Sequence, residues 1–590
     1  MCGIIGAYSR KGVNSADLVE MLKKLEYRGY DSWGVSILTD KGLFIEKRVG
    51  RIGNVSNIPT IQGKAGIAHT RWATHGKVDE VNAHPHASFH NNVVLVHNGI
   101  IENYAELKAM LREKGYKFKT ETDTEVAANL LEYVIKEERS IEDALKRFGE
   151  EVKGSFAIVA ITENYMLALV RGSPLLIGRN GDEVYFASDA KAFVDKVREV
   201  AYFNDDEALI LEINTGDLTF IDLHTKNKIE KDFEKVNKEL YDSYEPLNGY
   251  PHYTLKEIEE QAEKIKEVFV YNEKMLDKLA EDINNAFGVF FIASGSSYNA
   301  ALAASYLFAK HAHKHVNVVD ASEFEYHKHF ITPRTLVIAI SQSGETADVI
   351  EAVKVAKNKG AKLVAITNMY NSTLMRLSDY AVLMHAGSEI SVVATKTYTA
   401  QLLLLITLIF KTMGLEFNGE ISKVSESIKA MLGNEILQEK LKQLAKELSK
   451  KEHLYLLGRG VNYATALEGA LKIKEISYIH AEAFPGGALK HGSIALIDSN
   501  TDVIVIASED ETYDDIISNA MEVKARGGRI IGISSKPHEV FDVYVEVPKS
   551  SILQPILNII PLQLLAYYLA LERNADPDKP RNLAKSVTVK

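Results

Sequence analysis

The sequence predicts an α+β domain followed by two similar α/β domains with parallel sheets. Residues 2–220 of the 590-residue chain contain short strand-like segments between turns, without regular alternation of strands and helices. Farther along, a strand that ends in a glycine turn, Gly288–Gly295, recurs as Leu454–Gly460. Lys359–Thr367 recurs as Arg526–Ser534 at nearly the same offset, and two agreeing offsets indicate a duplicated domain.

The first domain is predicted from five segments that have the β-branched and apolar content of strands: Leu43–Arg48, Val93–Val96, Phe156–Thr162, Met166–Arg171 and Ala208–Glu212. The stretch that follows, residues 221–245, is charged and poor in aromatic residues, which is typical of a surface linker. We therefore place the first domain boundary near residue 240.

In the duplicated part, continuous apolar strands such as Leu336–Ile340 alternate with amphipathic helices such as Ala347–Lys359. This pattern predicts a parallel sheet covered on both faces, with a ligand at the carboxyl ends of the strands. Polar residues interrupt the apolar segment Ile556–Leu571, so we expect a core helix there and no membrane span.

The composition indicates which binding partners and which cell compartment are expected for this protein. The net charge of −11 and the pI near 6.0 argue against a nucleic-acid partner, which needs a basic face. Met1–Tyr8 lacks the features of a secretory signal. The single cysteine, Cys2, excludes a disulfide framework and fits a reducing cytoplasm.

Cys2 is itself a candidate nucleophile. Removal of Met1 would place a free α-amine, with a pKa of about 7.7–8.0, on the residue whose thiol has a pKa of about 8.5. The amine could then act as base for its own side chain, as in N-terminal-nucleophile enzymes. The alternative is a chance cysteine near the start of the chain.

A phosphate site is predicted at Ser341–Thr346, which follows an apolar strand and opens a helix. Hydroxyls, a glycine and unpaired helix amides at one point suit an anion. Ser294–Ser297 offers a second hydroxyl cluster, and ordinary helix capping is the alternative. The second copy has Ser508–Thr512, whose three carboxylates would repel phosphate, so we expect this copy to have lost the site.

Acid–base chemistry could lie on a helix after the Gly458 turn, where Glu468, Lys472 and Glu475 are spaced to share one face. A solvated Glu–Lys pair is the alternative. His491 lies in a glycine-rich loop, where an isolated histidine is usually a surface residue.

The first domain is rich in histidine, in His69–Gly76, His84–His86 and His97–Gly99, but the spacings match no known zinc pattern. Arg71 could clamp a carboxylate through its guanidinium fork. Asn98 and Gly99 could supply an amide and a backbone N–H to an oxyanion, or could form a hairpin turn.

Taken together, these motifs resemble the glutamine–fructose-6-phosphate aminotransferase family, also called glucosamine-6-phosphate synthase. The resemblance covers essentially the whole chain in order, and it rests on Cys2–Gly6, Tyr27–Ser32, His69–Gly76, His97–Asn103, Thr122–Glu125, Ser341–Thr346, Ala466–Lys472, Lys474–Glu482 and Pro580–Val589. It implies a glutaminase domain of stacked sheets between helices (2–220), the linker (221–245), two sugar isomerase (SIS) domains with flavodoxin-like sheets (246–425 and 440–580) and an active-site tail (581–590).

The resemblance implies that Cys2 attacks the glutamine amide and releases ammonia for internal transfer. Asn98 and Gly99 would form the oxyanion hole. The residues implied to bind glutamine are Arg71, Trp72, Thr74, His75 and Asp123, with Arg71 and Asp123 on the α-carboxylate and α-ammonium and Trp72 gating ammonia transfer.

For the sugar, the resemblance implies that Glu475 moves a proton between C1 and C2 and that Lys472 assists. His491 would help open the ring, and Lys585 would form a Schiff base with the ketose. The residues implied to bind the sugar phosphate are Ser297, Ser341, Gln342, Ser343, Thr346 and Val392. No cofactor and no metal are implied, and the expected assembly is a homodimer or larger homo-oligomer.

Two other functions stay open at this point: a regulatory protein that binds without turnover, and a different glutamine amidotransferase with the same nucleophile domain. Trp33, Ala394 and Ala488 depart from the family pattern, which leaves room for a related ketose phosphate.

Overall fold

The computed structural model describes residues 2–54, 58–73, 75–236, 238, 246–417 and 420–588. By its internal contacts the chain divides into two compact units. The first comprises Met1–Tyr244 together with Ala584–Lys590, and the second comprises Glu245–Leu583.

The first unit contains four helices and two antiparallel sheets among its described residues. The helices are α1 (Ser15–Lys23), α2 (Tyr104–Glu113), α3 (Asp123–Glu137) and α4 (Ile141–Glu151). The strands are β1 (Gly3–Asn14), β2 (Ser32–Thr39), β3 (Gly42–Val49), β4 (Gln62–Arg71), β5 (His86–Ala87), β6 (Val94–Ile101), β7 (Gly154–Ile161), β8 (Tyr165–Arg171), β9 (Leu176–Asn180), β10 (Glu183–Ala187), β11 (Glu199–Tyr202), β12 (Glu207–Glu212), β13 (Leu218–Asp222), β14 (Lys228–Ile229) and β15 (Glu234–Lys235).

These elements form the predicted layers, with two stacked sheets between helices. One sheet has the order β15-β11-β9-β10-β1-β4-β2-β3 and the other β14-β13-β12-β8-β7-β6-β5. Apolar side chains of the two sheets, such as Ile4 and Ile67 on one and Val96 and Val159 on the other, form one buried cluster. A second cluster packs α2, α3 and α4 on the far side of one sheet, and a third packs α1 on the other.

All five strands predicted for the first domain are present. The segment predicted as a linker, however, contributes β14 and β15 to the two sheets. The reason is local hydrophobicity within a charged stretch, since Ile229 and Phe233 pack against the cluster between the sheets.

The second unit contains two five-stranded parallel sheets. The strands of the first are β16 (Gly288–Ala293), β17 (Asn317–Asp320), β18 (Thr335–Ser341), β19 (Lys362–Thr367) and β20 (Tyr380–Leu383), and those of the second are β21 (His453–Gly458), β22 (His480–Pro485), β23 (Asp502–Ala507), β24 (Arg529–Ser534) and β25 (Val543–Glu546). Their orders, β17-β16-β18-β19-β20 and β22-β21-β23-β24-β25, correspond to each other strand for strand. The duplication and the flavodoxin-like order are thereby confirmed.

The described helices of the second unit are α5 (Tyr253–Tyr271), α6 (Glu273–Asn285), α7 (Gly295–Leu307), α8 (Phe324–His327), α9 (Ala347–Asn358), α10 (Thr373–Leu377), α11 (Lys396–Thr412), α12 (Glu420–Leu432), α13 (Glu435–Leu448), α14 (Val461–Ser477), α15 (Tyr513–Lys524) and α16 (Gln554–Glu572). Among the described helices, only α16 is long and apolar enough to cross a membrane, and 89% of its apolar window is buried inside the unit. It packs closely on α14, where a Cβ added at Gly469 would lie 2.6 Å from Leu562. The prediction of a core helix there is confirmed.

Candidate active sites

Cys2 lies directly before β1, beside the end of β4. The backbone N–H of Trp72 donates to Cys2 Sγ at 3.2 Å, and Sγ lies 3.6 Å from the Trp72 carbonyl oxygen. Burial raises the pKa of the Cys2 thiol, while the Trp72 N–H and the charge of Arg71 favour the thiolate and act against that rise. The sulfur therefore lies near a hydrogen-bond donor and a positive charge, an environment that suits a nucleophile.

Asn98 and Gly99 lie within β6, so the alternative of a hairpin turn is wrong. Asn98 pairs with Ala157 of β7, and its Nδ2 donates to the Cys2 carbonyl oxygen at 2.9 Å. Gly99 has φ of +130°, and an added Cβ would lie 2.1 Å from the Ser155 carbonyl oxygen. Only glycine fits this close approach of β6 to β7.

Arg71 and Asp123 border the same pocket from β4 and α3. The Arg71 guanidinium donates to the carbonyl oxygens of Lys77, at 3.0 Å, and of His75 and Gly76. Asp123 begins α3, and its carboxylate accepts the backbone N–H of Ile101 at 2.9 Å. These bonds fix both charged groups at the pocket wall, where opposite charges could bind the two ends of an amino acid.

The pocket around Cys2 is formed by residues of the first unit. They are Cys2, Arg71, Trp72, His75, His84, His97, Asn98, Gly99, Thr122, Asp123, Thr124 and Thr588. The structure thus brings together every predicted residue of this site except Thr74, which lies outside the described residues. Sequence reasoning missed Thr588, although the tail motif that contains it was part of the resemblance.

Four histidines of this unit, His69, His84, His86 and His97, are deeply buried. Burial lowers the pKa of His69 to about 3 and lowers the pKa values of His84, His86 and His97. Among the described residues, no group of three or more His, Cys, Asp or Glu side chains is arranged to hold a metal ion. The absence of a metal site stays a prediction.

In the second unit, Ser341–Thr346 connects the end of β18 to α9. The Ser341 and Thr346 hydroxyls are 2.9 Å apart, and the Gly344 N–H donates to Ser341 Oγ at 3.1 Å. Gly344 has φ of +63°, and an added Cβ would lie 2.1 Å from Ser372 Oγ. The backbone N–H of Asn368, which follows β19, donates to the Gln342 carbonyl oxygen of this loop at 3.0 Å. The loop is therefore a tight turn that collects donors at the start of a helix.

Helix capping does not account for these hydroxyls. Thr346 occupies the N-cap of α9, but its side chain makes no capping hydrogen bond. Ser294 occupies the N-cap of α7 and likewise makes no capping hydrogen bond. Its buried hydroxyl has no hydrogen-bond partner among the described residues. Because β16 and β18 are neighbours at the switch point, both helix starts face the same edge of the sheet. An anion is the ligand that such an edge suits.

Glu468, Lys472 and Glu475 share one face of α14, but the interpretation as a solvated pair is wrong. Glu468 is 0% and Lys472 is 1% exposed. Lys472 Nζ lies 2.7 Å from Glu475 and 3.3 Å from Glu468, and it donates to Ser296 Oγ at 3.0 Å. Asn299 of α7 donates to the other oxygen of Glu468 at 2.9 Å.

The electrostatics of this cluster are unusual. Burial raises the pKa of Glu468. Burial lowers the pKa of Lys472, but Glu468 and Glu475 outweigh it, so the pKa of Lys472 ends above its usual value. Ser296 is next to Ser297, so the cluster adjoins the helix start predicted to bind phosphate. The candidate acid–base groups and the predicted phosphate site thus lie together.

The remaining predicted residues are more scattered. The Val392 N–H donates to the Asp578 carbonyl oxygen at 3.0 Å, in the loop between β20 and α11. His491 is exposed at the end of a 3-10 helix, Gly486–His491, and its side chain makes no hydrogen bond to the described residues. Lys585 lies in the tail segment that groups with the first unit. The roles of these three residues stay predictions.

Comparisons with known proteins agree with this division of the chain. A glutamine amidotransferase domain model matches residues 69–195, and an SIS domain model matches residues 282–411 and 447–573. We call the last two segments the first and second SIS regions.

Curated relatives extend the match to the whole chain. A protein of Thermococcus kodakarensis named glutamine–fructose-6-phosphate aminotransferase [isomerizing] is 43% identical over 609 residues, covering 100% of both chains. A protein of the same name from Clostridium acetobutylicum is 41% identical, again over 100% of both. The solved C-terminal domain of the enzyme from Francisella tularensis matches 57% of this chain and 100% of its own, with 36% identity and a TM-score of 0.52. This chain belongs to the glutamine–fructose-6-phosphate aminotransferase (isomerizing) family.

Proposed function

We propose that this chain converts fructose 6-phosphate and glutamine into glucosamine 6-phosphate and glutamate, the first step of hexosamine synthesis. The observation that supports this most directly is the pairing of two sites in one chain. One is the Cys2 pocket with an amide donor, and the other is a hydroxyl-rich loop at a helix start, which suits an anion and lies in the same unit as the buried Lys472 cluster.

In the first unit, Cys2 Sγ attacks the side-chain carbonyl carbon of glutamine after Met1 has been removed. The freed α-amine of Cys2 accepts the thiol proton and passes it to the leaving ammonia. Asn98 Nδ2 and the Gly99 N–H stabilise the oxyanion. Water then hydrolyses the thioester and releases glutamate. Arg71 and Asp123 bind the α-carboxylate and α-ammonium, Trp72, Thr74 and His75 also bind glutamine, and Trp72 gates ammonia transfer.

In the second unit, Ser297, Ser341, Gln342, Ser343 and Thr346 hold the phosphate, and Val392 contacts the sugar. His491 helps to open the ring. Lys585 condenses with the C2 ketone to form an iminium, which ammonia from the first site displaces. Glu475 then carries a proton from C1 to C2, and Lys472, whose Nζ lies 2.7 Å from the Glu475 carboxylate, positions that carboxylate for the transfer.

The start of the tail supports the role of Lys585. The Arg581 N–H donates to the Tyr478 hydroxyl at 2.9 Å, and Tyr478 directly follows α14, three residues after Glu475. The first residue of the tail is therefore held at the end of the helix that carries the Lys472 cluster. We also propose a cytoplasmic homodimer or larger homo-oligomer that uses no cofactor, metal, nucleic acid or membrane.

Product analysis with glutamine and fructose 6-phosphate tests the whole proposal. We expect equimolar glutamate and glucosamine 6-phosphate. Cys2→Ala should stop glutamine hydrolysis but leave sugar isomerisation, and deletion from Arg581 onward should do the reverse. Binding of both substrates without product would instead indicate a regulatory protein.

A further inference from the structure

Four buried imidazoles lie in the wall of the Cys2 pocket or directly behind it, and the proposed reaction uses none of them. We call His69, His84, His86 and His97 the histidine stack; each is at most 5% exposed. The rings of His69 and His84 are stacked at 4.0 Å with 18° between their planes, and His86 meets His84 edge-on at 4.8 Å. The member that contacts the proposed oxyanion hole is His69.

Two oxygen atoms determine where His69 carries its proton. His69 Nε2 lies 3.1 Å from the His97 backbone carbonyl oxygen and 3.1 Å from Asn98 Oδ1. A backbone carbonyl can only accept, so Nε2 must be the protonated nitrogen. Burial lowers the pKa of His69 to about 3, so near neutral pH the ring has one proton only. Consistently, Nδ1 is buried without a hydrogen-bond partner among the described residues.

This proton also determines the orientation of the Asn98 amide. Because Nε2–H is a donor, it attracts Oδ1 and would repel the amide hydrogens if the group were turned over. With Oδ1 held by His69, Nδ2 points the other way and donates to the Cys2 carbonyl oxygen at 2.9 Å. The amide thus presents its donor, and not its acceptor, toward Cys2.

His84 holds the ring of His69 in place. Its Nδ1 accepts the His97 N–H at 3.4 Å, so the proton of this neutral ring is on Nε2, which lies 3.3 Å from Thr124 Oγ1. Both rings are then fixed by hydrogen bonds at their edges as well as by stacking.

We propose that His69 is a positioning residue for glutamine hydrolysis, because its Nε2–H holds the Asn98 carboxamide with Nδ2 directed at the oxyanion that forms beside Cys2. This inference rests on the proposed glutaminase reaction. Since the oxyanion exists only during the reaction, misorientation of Asn98 should lower kcat and leave glutamine binding almost unchanged.

The kinetic test compares three variants of the full chain. In His69→Leu, kcat for glutamine hydrolysis should fall by roughly 10–100-fold, less than the loss of a whole oxyanion donor, while KM stays within about twofold. His69→Gln keeps an amide donor at nearly the same reach and should restore most of kcat. His86→Leu is the matched control: it removes a similarly buried imidazole that contacts His84 and Thr122 but makes no hydrogen bond to Asn98, so kcat should fall much less than in His69→Leu.

Nitrogen-15 NMR of histidine-labelled protein tests the same point without any activity, which separates this inference from the proposed function. The His69 signals, assigned by their loss in His69→Gln, should show a neutral ring protonated at Nε2. A proton at Nδ1, a charged ring at pH 7, or equal kcat losses in His69→Leu and His86→Leu would each overturn the proposal. Should His69→Leu not fold, the NMR result and the His69→Gln kinetics decide the question.

Discussion

The two SIS regions have the same strand order but use the same loop in different ways. After β18, the loop Ser341–Thr346 leaves the start of α9 without a side-chain cap. After β23, the start of α15 has no side-chain cap either, but Asp510 accepts the N–H of the N-cap residue Thr512 at 2.8 Å and the Thr512 hydroxyl at 2.7 Å. The second region thus supplies its own carboxylate where the first suits an external anion.

The second region contributes α14 instead. In the described structure this helix places Lys472 against Ser296 of the first region. The comparison teaches that duplicated domains can diverge at equivalent places: one copy has the loop proposed to bind an anion, and the other has the helix that carries the proposed acid–base groups. The phosphate loss that the sequence predicted for the second copy stays a prediction, now with Asp510 as its physical basis.

The largest effect should come from removing the cation of the second region's cluster. Lys472→Met leaves the buried Glu468 and the half-buried Glu475 close together without a counter-charge, which should cost about 3 kcal/mol of unfolding free energy. The rate of glucosamine 6-phosphate formation should fall by about 10³-fold, as for loss of an acid–base group. Denaturant unfolding and product assays would measure the two effects.

Lys411→Met is the matched control for that variant. Lys411 also has three carboxylate partners, Asp277, Glu416 and Glu273, but these are 55–68% exposed. Water replaces such partners, so the loss of unfolding free energy should stay below about 1 kcal/mol. Equal losses in the two variants would contradict the view that burial sets the strength of the α14 cluster.

A smaller effect should follow when the first loop is made like the second. Ser343→Asp places a carboxylate in the first loop, as Asp510 does in the second, and should raise the Kd for fructose 6-phosphate by roughly 100-fold through charge repulsion. Glutamine hydrolysis in the absence of sugar should not change. Calorimetric titration measures the affinity.

Ser343→Asn separates charge from size in that experiment. Asparagine matches aspartate in shape but is neutral, so its Kd should lie much nearer that of the wild type. If both variants bind the sugar phosphate as tightly as the unmodified chain, the phosphate does not bind at this loop.

The smallest effect concerns the second loop. Asp510→Asn removes the charge that accepts two bonds at the start of α15, and it should cost about 1 kcal/mol, a melting shift of a few degrees. Asp514→Asn, an exposed carboxylate in the first turn of the same helix, should shift melting less because no comparable bonds are lost. Sugar-phosphate affinity should stay unchanged in both variants. If Asp510→Asn gained phosphate binding, the charge of Asp510 would be the feature that distinguishes the second loop from the first.

Much of the fold followed from local patterns. The duplicated strand-and-turn segments predicted two similar sheets, and the strands of the first domain were found where their apolar content placed them. The linker was less predictable, since Ile229 and Phe233 are two apolar residues in a charged stretch. Their packing depends on a surface made by distant strands, which no local window of sequence contains.

What the sequence alone determined about this protein is the set of reactive groups and their spacing along the chain. Cys2, the loop Ser341–Thr346 and the helical triad around Lys472 could all be read from it, because strand period, helix period and loop composition are local properties. The tertiary structure decided which of these groups are buried and what they meet. The spacing of Glu and Lys along the sequence is the same whether a helix face is exposed to solvent or buried. Only the packing of α7 and α16 on α14 excludes water from Lys472. Likewise, only the stacking of β4 on β6 brings His69 to the amide of Asn98, because burial and hydrogen-bond partners depend on contacts between residues far apart in the chain.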